Sequence, residues 1–225
     1  MVESALSGRE VLVFGATGAL GAGVAACFAD FGAKVRGADQ VEPAPERRLA
    51  GVEYVTVNAL DDDALGALFD AGPAPWAVVN TIGGYAPKRS LADLDPGELT
   101  RQFELNLLSA ALITRHALRV MQRAGKGRIV HTASRAATVT AGNGFAYSVT
   151  KLGVLHLVSM AADEVRGTGV TVNCVVPSIV DTPANRAALP NANYDSWPKP
   201  LEVARSYVYL ASPDSGLVNG AAIPV

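Results

Sequence analysis

The feature that most constrains the fold is a glycine-rich turn between a short apolar run and an alanine-rich stretch near the N-terminus. Residues 11–14, Val-Leu-Val-Phe, are typical of a buried strand, and residues 22–31 have the composition of a helix. The segment between them, GATGALG at residues 15–21, lets the backbone turn tightly and come close to a pyrophosphate. The phosphate charge then faces the free N–H groups at the start of the next helix. The turn therefore predicts a dinucleotide-binding unit.

A carboxylate follows the next predicted strand. Residues 33–38 lead into Asp39, where a carboxylate can accept hydrogen bonds from both ribose hydroxyls of an adenosine. Asp39 would repel a 2'-phosphate, and no Lys or Arg lies in the glycine turn or directly after Asp39 to offset that repulsion. The pattern predicts NAD(H) over NADP(H), and Arg36 favours the phosphorylated cofactor only if its side chain folds back. The alternative for Asp39 is an ordinary residue of a turn after a strand.

A second group of polar residues lies further along the chain. Tyr147 and Lys151 stand at positions i and i+4 of a predicted helix and therefore share a face. A neighbouring ammonium lowers the pKa of a phenol from its usual value of about 10, which would let Tyr147 act as a general acid or base. Ser134, just after a predicted strand, would hydrogen-bond the same substrate oxygen. A surface turn for the Tyr-Lys pair and a loop cap for Ser134 are the alternatives.

Taken together, these residues resemble the short-chain dehydrogenase/reductase family, and the resemblance covers nearly the whole chain. Residues 80–83, Asn-Thr-Ile-Gly, are similar to the family's Asn-Asn-Ala-Gly segment beside the adenine ribose. Asn106 matches the helix asparagine that in the family holds a water and the active-site lysine in a proton relay. Residues 173–182 match the segment Asn-x-Val-x-Pro-Gly-x-x-x-Thr, in which Ile179 would grip the nicotinamide amide through its backbone, assisted by Thr182.

The resemblance implies an oxidoreductase that transfers a hydride between NAD(H) and a small, fairly apolar alcohol or ketone. The implied catalytic residues are Asn106, Ser134, Tyr147 and Lys151. The predicted dinucleotide contacts are Gly15, Thr17, Gly18, Ala19, Leu20, Gly21, Asp39, Asn58, Ala59, Asn80, Gly83, Tyr147, Lys151, Pro177, Ile179 and Thr182.

The chain departs from the family pattern at several of these positions. Asn58 and Ala59 stand where the family usually has an Asp-Val pair at the adenine, so weaker adenine binding is expected. Ala19 replaces the second glycine of the turn, and Ser178 replaces a later glycine. None of these changes removes a predicted catalytic group.

Two segments, residues 11–21 and residues 181–186 followed by Pro190 and residues 193–197, are also similar to dihydropteridine reductases. Members of that subfamily use NADH and lack the serine that this chain has at position 134. Ser134 therefore favours alcohol or ketone chemistry over reduction of a quinonoid pterin. A pterin reductase is kept as the alternative, as is a non-catalytic dinucleotide sensor, although a sensor gives no reason for the four catalytic residues.

The substrate side of the predicted site is less well defined. Residues 182–199 are rich in Pro, Asn and Ala and are interpreted as a substrate lid, with a simple connecting loop as the alternative. Tyr85, Arg135 and Trp197 are predicted substrate contacts in a mostly apolar pocket. A solvated loop charge is the alternative for Arg135.

Length and alternating patterns predict the fold class: a single α/β domain spanning residues 1–225, with a doubly wound, Rossmann-type parallel sheet. The predicted strands are 9–14, 33–38, 52–57, 75–80, 127–132, 169–176 and 219–224, and the predicted helices are 19–31, 61–71, 97–123, 145–166 and 200–211. Ligands bind beyond the carboxyl ends of the strands in such sheets.

Composition limits the kinds of molecule that the protein is expected to bind. A net charge of -2 and the lack of a long basic run predict no nucleic-acid or membrane partner. No secretory signal pattern and no uninterrupted apolar run of about 18 residues is found, so a cytoplasmic enzyme is expected. Cys27 and Cys174 are interpreted as buried small residues, and the spacing of the histidines predicts no metal.

Apolar stripes on the helices that carry Asn106 and Tyr147 predict a homodimer or homotetramer, although a monomeric core would use the same stripes.

Overall fold

A parallel sheet of seven strands forms the centre of the computed structural model, which describes residues 6–85, 90–139 and 144–225. The order across the sheet is β3-β2-β1-β4-β5-β6-β7. The strands are β1 Glu10–Phe14, β2 Lys34–Asp39, β3 Val52–Thr56, β4 Ala77–Asn80, β5 Gly127–Thr132, β6 Val170–Val176 and β7 Ala222–Pro224. The prediction of a doubly wound parallel sheet is confirmed.

Helices cover both faces of the sheet. They are α1 Ala19–Asp30, α2 Asp62–Asp70, α3 Pro96–Phe103, α4 Ser109–Ala124, α5 Phe145–Glu164, α6 Pro183–Ala188 and α7 Pro200–Ala211. Successive side chains of a strand point to opposite faces, and β1 shows this clearly: Leu12 belongs to the core shared with α2, α4 and α5, whereas Val13 belongs to the core shared with α1 and α7.

The order of the strands reverses beside β1, which pairs with β2 on one side and with β4 on the other. The loops after β1 and β4 leave the sheet in opposite directions at such a point, and a crevice forms between them at the carboxyl ends of the strands. The predicted site residues follow the strands at this edge.

The helix predicted over residues 97–123 is interrupted in the structure. A π-helical turn, Glu104–Leu108, separates α3 from α4. Asn106 lies within this turn with 1% of its surface exposed, and Ser109 Oγ donates to the Leu105 carbonyl oxygen over 2.6 Å. An extra residue in one turn rotates the following side chains, and such turns are frequent at functional sites. Hydrophobic periodicity does not reveal an insertion of this size.

Helix α5 begins at the carboxyl edge of the sheet and packs one face against the core. Its length and a mean hydropathy of 1.3 would suffice to cross a membrane, and no other helix in the described ranges meets both conditions. Polar residues such as Lys151 interrupt its apolar character, which is why the sequence showed no uninterrupted run. One face of the helix, including Val154 and Val158, is buried against the sheet. We interpret α5 as a core helix.

Candidate active site

In the glycine turn between β1 and α1, the backbone lies too close to neighbouring atoms for a side chain to fit at two positions. Gly15 has φ of +79°, and a Cβ there would lie 2.7 Å from Thr81 Oγ1. A Cβ at Gly21 would overlap with the Gly15 carbonyl oxygen. Both positions therefore require glycine. Gly18 is the N-cap of α1, and its carbonyl accepts from Ala22 N over 2.8 Å. The turn thus presents backbone and the start of a helix to a ligand at this edge.

Asp39, at the end of β2, is hydrogen-bonded to the glycine turn. Its Oδ2 accepts from Thr17 N at 3.0 Å and from Thr17 Oγ1 at 2.6 Å. Its Oδ1 accepts from Gln40 N at 2.8 Å. The carboxylate therefore holds the turn in place, a role that the sequence analysis did not foresee.

A cation that the sequence analysis missed also binds Thr17. Arg47 Nη2 donates to the Thr17 carbonyl oxygen over 3.1 Å, because the 3-10 turn Pro45–Arg47 folds back toward the glycine turn. The glycine turn and the position directly after Asp39 contain no basic residue, as expected, but Arg47, eight residues after Asp39, reaches the turn through Thr17. Adjacency in sequence could not reveal a contact that spans thirty residues.

The loop after β3 holds the two residues predicted at the adenine. Asn58 Oδ1 accepts from Gln40 Nε2 at 3.1 Å and from Leu60 N at 3.0 Å. The oxygen of the amide is thus already bonded, while Ala59 is buried with 3% exposure. Asn58 links the loops after β2 and β3 at the same edge of the sheet.

Gly83, predicted as a dinucleotide contact, lies between two predicted catalytic side chains. A Cβ at Gly83 would be 2.8 Å from both Asn106 Oδ1 and Lys151 Nζ. Asn106 Oδ1 accepts from Gly84 N at 3.1 Å, and its Nδ2 donates to Gly84 O at 3.2 Å and to Gln102 Oε1 at 2.8 Å. Because Gly83 has no side chain, the loop after β4 can pack against both the π-helical turn and α5 at this point.

Lys151 is buried, with 3% of its surface exposed. Its Nζ donates to the carbonyl oxygen of Thr132, at the end of β5, over 2.9 Å. Burial lowers the pKa of the ammonium to about 8. A lysine that changes protonation close to neutral pH suits proton transfer.

Ser134 is hydrogen-bonded to Tyr147, but the prediction that the pKa of Tyr147 is lowered is wrong. The pKa of the Tyr147 phenol is raised by burial, and a hydrogen bond from Ser134 lowers it by less. Lys151 was expected to lower this pKa; instead, its ammonium is directed to the Thr132 carbonyl. Desolvation of the phenolate outweighs the stabilising groups. Tyr147 is therefore neutral in this arrangement.

Ser134 has a second role at the end of β5. Its Oγ accepts from Ala136 N at 3.2 Å and caps the 3-10 turn Arg135–Ala137. The loop-cap alternative is thus also present, beside the contact with Tyr147. Arg135 is exposed, and its backbone N–H donates to the Pro177 carbonyl oxygen over 3.0 Å. This bond places the serine loop beside the segment after β6.

The predicted substrate contacts lie in different parts of this edge. The Tyr85 ring packs edge-on against the Tyr147 ring, with centroids 5.2 Å apart. Trp197 packs against Tyr194 at 5.0 Å and lies in segment 182–199. Beside the predicted nicotinamide position, Ile179 is 43% exposed.

Segment 182–199 is more regular than the sequence predicted. It contains α6 and a 3-10 turn, Tyr194–Ser196. Thr182 Oγ1 caps α6 by accepting from Asn185 N over 3.2 Å. Arg186 binds the Asp181 carboxylate through two nitrogens, at 2.6 and 2.9 Å, and its guanidinium lies 4.5 Å from the centre of the Tyr194 ring. Ion pairing and stacking thus tie the segment together.

Behind the site, His131 and Asn80 form a buried polar pair. Thr114 donates its only proton to the Ala110 carbonyl at 2.7 Å, so its Oγ1 accepts from His131 Nε2 at 2.8 Å. His131 Nδ1 is then the acceptor facing Asn80 Nδ2 at 3.4 Å. Burial lowers the pKa of His131 to about 4, with a smaller effect of the Lys151 charge. His131 is a neutral residue of the core.

Two further observations bear on the location of the site. The described ranges contain no cluster of three or more His, Cys, Asp or Glu residues able to hold a metal ion. A shallow cavity of about 800 Å³ lies at the opposite edge of the sheet, near the amino ends of β1–β3, and contains none of the predicted site residues. The predicted catalytic and dinucleotide-binding residues therefore lie away from this cavity.

The arrangement has a glycine cradle on one side of the strand reversal and a hydroxyl, a phenol and a buried ammonium on the other. A profile of the family described as enoyl-(acyl carrier protein) reductase matches residues 15–225. The chain belongs to the short-chain dehydrogenase/reductase family. The expected membership is confirmed, whereas the narrower resemblance to dihydropteridine reductases remains a prediction.

Individual relatives extend this similarity over almost the full chain. A cis-4-hydroxycyclohexanecarboxylate dehydrogenase of Sinomonas cyclohexanicum is 32% identical, over 98% of this chain and 96% of the relative. A mitochondrial borneol dehydrogenase of Lavandula x intermedia is 32% identical, over 96% of this chain and 88% of the relative. A solved short-chain type dehydrogenase/reductase of Mycobacterium ulcerans has a TM-score of 0.89 at 27% identity, covering 98% of this chain and 89% of that one.

Proposed function

We propose that this short-chain dehydrogenase/reductase transfers a hydride between NAD(H) and a small, fairly apolar alcohol or ketone, with Tyr147 as the general acid and base. The observation that carries the proposal is the convergence of Asn106, Ser134, Tyr147 and Lys151 beside the glycine turn. Ser134 contacts the phenol. A Cβ at Gly83 would lie 2.8 Å from both Asn106 Oδ1 and Lys151 Nζ, so these two side chains are close to each other. The four side chains come from the loop after β5, the π-helical turn and α5.

The residues of the turn fit a dinucleotide. Gly15 and Gly21 keep open a backbone cradle that a Cβ would fill, and α1 directs its first N–H groups toward the same edge. When bound there, the dinucleotide would supply or accept the hydride at its nicotinamide ring. Pro177, Ile179 and Thr182 follow β6 and would hold that ring.

The polar side chains account for the movement of the proton. In reduction, the Ser134 hydroxyl would donate to the carbonyl oxygen of the substrate, and Tyr147 would transfer its phenolic proton to that oxygen as the hydride reaches the carbon. The raised pKa of Tyr147 means that the phenol holds this proton at neutral pH. In oxidation, the phenol would have to release its proton to solvent before Tyr147 could accept the proton of the alcohol, and burial of the phenol opposes this ionisation.

We infer a preference for NAD(H), because Asp39 places a carboxylate at the adenosine side. Arg47 would reduce the size of this preference, since its guanidinium binds the Thr17 carbonyl oxygen in the same turn. The test is the ratio of kcat/KM for NAD(H) and NADP(H), in the wild type and in Asp39→Ala combined with Gln40→Arg. The double variant should shift the ratio toward NADP(H). A wild-type preference for NADPH would refute the inference.

We propose an alicyclic alcohol or ketone as the substrate class. The relatives named above are dehydrogenases of a hydroxycyclohexanecarboxylate and of borneol, by their descriptions. Tyr85 and Trp197 offer aromatic surfaces for such a ring, segment 182–199 would cover it as a lid, and Arg135 would bind a carboxylate if the substrate carries one. Arg135→Met should then raise the KM for cis-4-hydroxycyclohexanecarboxylate and leave that for borneol unchanged.

The decisive experiment on activity is a panel of substrates assayed with NAD+ and NADH. Oxidation of cyclic alcohols, or reduction of the matching ketones, supports the proposal. Reduction of a quinonoid dihydropterin without turnover of any ketone would favour the pterin alternative instead. Binding of NADH with no turnover across the panel would favour a non-catalytic sensor.

We further propose that the enzyme is a homo-oligomer. One face of α5 and the end of α3 expose apolar side chains that a second copy would cover. These residues are Phe103, Phe145, Val149, Leu152 and Met160, with exposures of 47, 44, 37, 52 and 59%. Sedimentation velocity should give a dimer or tetramer, and Leu152→Glu should weaken it. A cytoplasmic location also remains a prediction, to be checked by cell fractionation.

A further inference from the structure

Partly buried hydrogen bonds to the hydroxyl and to the carbonyl of Thr132 join helix α7 to Lys151. Thr132 Oγ1 donates to the Asn80 carbonyl oxygen over 2.7 Å and lies 2.8 Å from the Tyr207 hydroxyl. A hydroxyl has one proton to donate, and Thr132 uses its proton on Asn80. Tyr207 must therefore be the donor to Thr132. The carbonyl of the same Thr132 accepts the Lys151 ammonium at 2.9 Å. We call Asn80, Thr132, Lys151 and Tyr207 the lysine network.

We propose that Tyr207 is a positioning residue for proton transfer, because it fixes the residue whose carbonyl oxygen holds the Lys151 ammonium. The inference rests on the proposed function, in which Lys151 supports Tyr147. Tyr207 touches neither the predicted substrate nor the dinucleotide site directly. Its effect on the reaction would pass through Thr132 to Lys151.

The phenol of Tyr207 is unusual in its surroundings. The side chain is fully buried, with 0% exposure, in the core that α7 shares with α1. Its neighbours in this core include Val203, Ala204 and Leu210. A phenylalanine would fill nearly the same space, and burying a hydroxyl is unfavourable unless the hydroxyl is hydrogen-bonded. The bond to Thr132 satisfies the hydroxyl, so the polar atom serves the network and not the packing.

Helix α7 also connects the network to the glycine turn and to segment 182–199, the two segments proposed to enclose the ligands. It begins at Pro200, directly after segment 182–199. A Cβ at Gly23 of α1 would lie 2.7 Å from Pro200 Cβ, so the two helices are closely packed. Tyr207 therefore aligns the Lys151 acceptor with the helix that follows the glycine turn and with the end of the proposed lid.

Among the titratable groups that surround it, Lys151 is the group whose protonation changes close to neutral pH. His131 in β5 stays neutral, with a pKa lowered by burial to about 4. Burial raises the pKa of the Cys174 thiol in β6 to about 12, and it also raises the pKa of Tyr147 and of Tyr207. The pKa of Lys151 lies at about 8. A weaker hold on its ammonium would lower that value further, because the charged form would lose part of its stabilisation.

The test compares Tyr207→Phe with Tyr209→Phe, since Tyr209 lies on the same helix but is 42% exposed. The protonation of Lys151 is followed by NMR of lysines labelled with ¹³C at Cε, with Lys151→Met to assign the resonance. We expect Tyr207→Phe to lower the titration midpoint of Lys151 and Tyr209→Phe to leave it unchanged. This measurement requires no turnover, so a wild type that is inactive on every substrate would refute the proposed function without affecting this result.

Kinetics give a second readout on the best substrate of the panel. Tyr207→Phe should lower kcat by about two- to tenfold, the range that one neutral hydrogen bond corresponds to, with KM unchanged. The loss of kcat at high pH should begin at a lower pH than in the wild type.

Variants of Thr132 keep the proposal open to refutation if Tyr207→Phe proves unstable. Thr132→Val should lower the Lys151 midpoint as Tyr207→Phe does, and Thr132→Ser, which keeps the hydroxyl, should remain closer to the wild type. Adding Tyr207→Phe to Thr132→Val should have little further effect, because the bond is already lost. A Lys151 midpoint that is the same in the wild type, Tyr207→Phe and Thr132→Val would overturn the proposal, as would full additivity of the two substitutions.

Discussion

The glycine turn and the lysine network lie at the same edge of the sheet but depend on different properties of the chain. The turn is built within one segment, residues 15–21, and is defined by the side chains that it lacks. The network brings together side chains and carbonyls from β4, β5, α5 and α7, which are far apart in sequence. Substitutions in the turn should therefore act as steric blocks, whereas substitutions in the network should have graded effects.

The largest effect is expected in the turn. Gly21→Val would drive a Cβ into the Gly15 carbonyl oxygen, and such overpacking costs about 1–3 kcal/mol of stability. The cradle would also be distorted, so we expect NADH binding to be lost in a titration of NADH fluorescence. Gly72→Val is the matched control, because a Cβ at Gly72 meets nothing within 4 Å. Undiminished NADH binding by Gly21→Val would show that the turn does not hold the cofactor.

A smaller but still large effect is expected at Ser134. A donor directed at a developing oxyanion contributes about 3 kcal/mol in comparable sites, so Ser134→Ala should reduce kcat/KM for a ketone by about 10²-fold. Ser159→Ala, on the exposed face of α5, controls for loss of a hydroxyl. Because dihydropteridine reductases lack this serine, reduction of a quinonoid pterin should be much less sensitive. Equal ketone rates in wild type and Ser134→Ala would remove the assigned role.

The smallest effect at neutral pH concerns His131 behind the network. Its pKa is lowered by burial from 6.5 to about 4 in the folded chain, so the unfolded chain binds the extra proton first as the pH falls. The stability that comes from keeping His131 neutral is complete above about pH 6.5 and is lost between that pH and about 4, by up to about 3 kcal/mol.

Urea unfolding of the wild type and of His131→Asn from pH 7 to pH 4 measures this difference. The variant has no imidazole to protonate at this position, so its stability should fall less over this range. Parallel losses of stability in the two proteins would contradict the neutral assignment of His131.

The same contrast explains how far the sequence could predict the structure. The strands and most helices were predicted because apolar patterns and the glycine turn are local signals. The π-helical turn around Asn106 was missed, since one extra residue hardly changes the periodicity of a long helix. The helix α6 inside the predicted lid was missed as well, because six residues with few apolar positions give a weak pattern.

For the candidate site, residue types were easier to predict than their partners. The sequence identified Tyr147 and Lys151 from their spacing, and the structure places both at the expected edge. It could not show that the Lys151 ammonium binds the Thr132 carbonyl, because that contact depends on how β5 and α5 pack. Arg47 and Tyr207 were missed for the same reason: their partners lie 30 and 75 residues away along the chain.

The central claim is that Tyr147 transfers the proton while the glycine turn holds the dinucleotide independently. The most direct measurement is kcat on the best substrate together with the Kd for NADH, in wild type and Tyr147→Phe. We expect kcat to fall by at least the ~10²-fold typical of a lost general acid, with the Kd for NADH nearly unchanged. Lys151→Ala should impair both quantities. A Tyr147→Phe variant that retains near-normal kcat would contradict the claim.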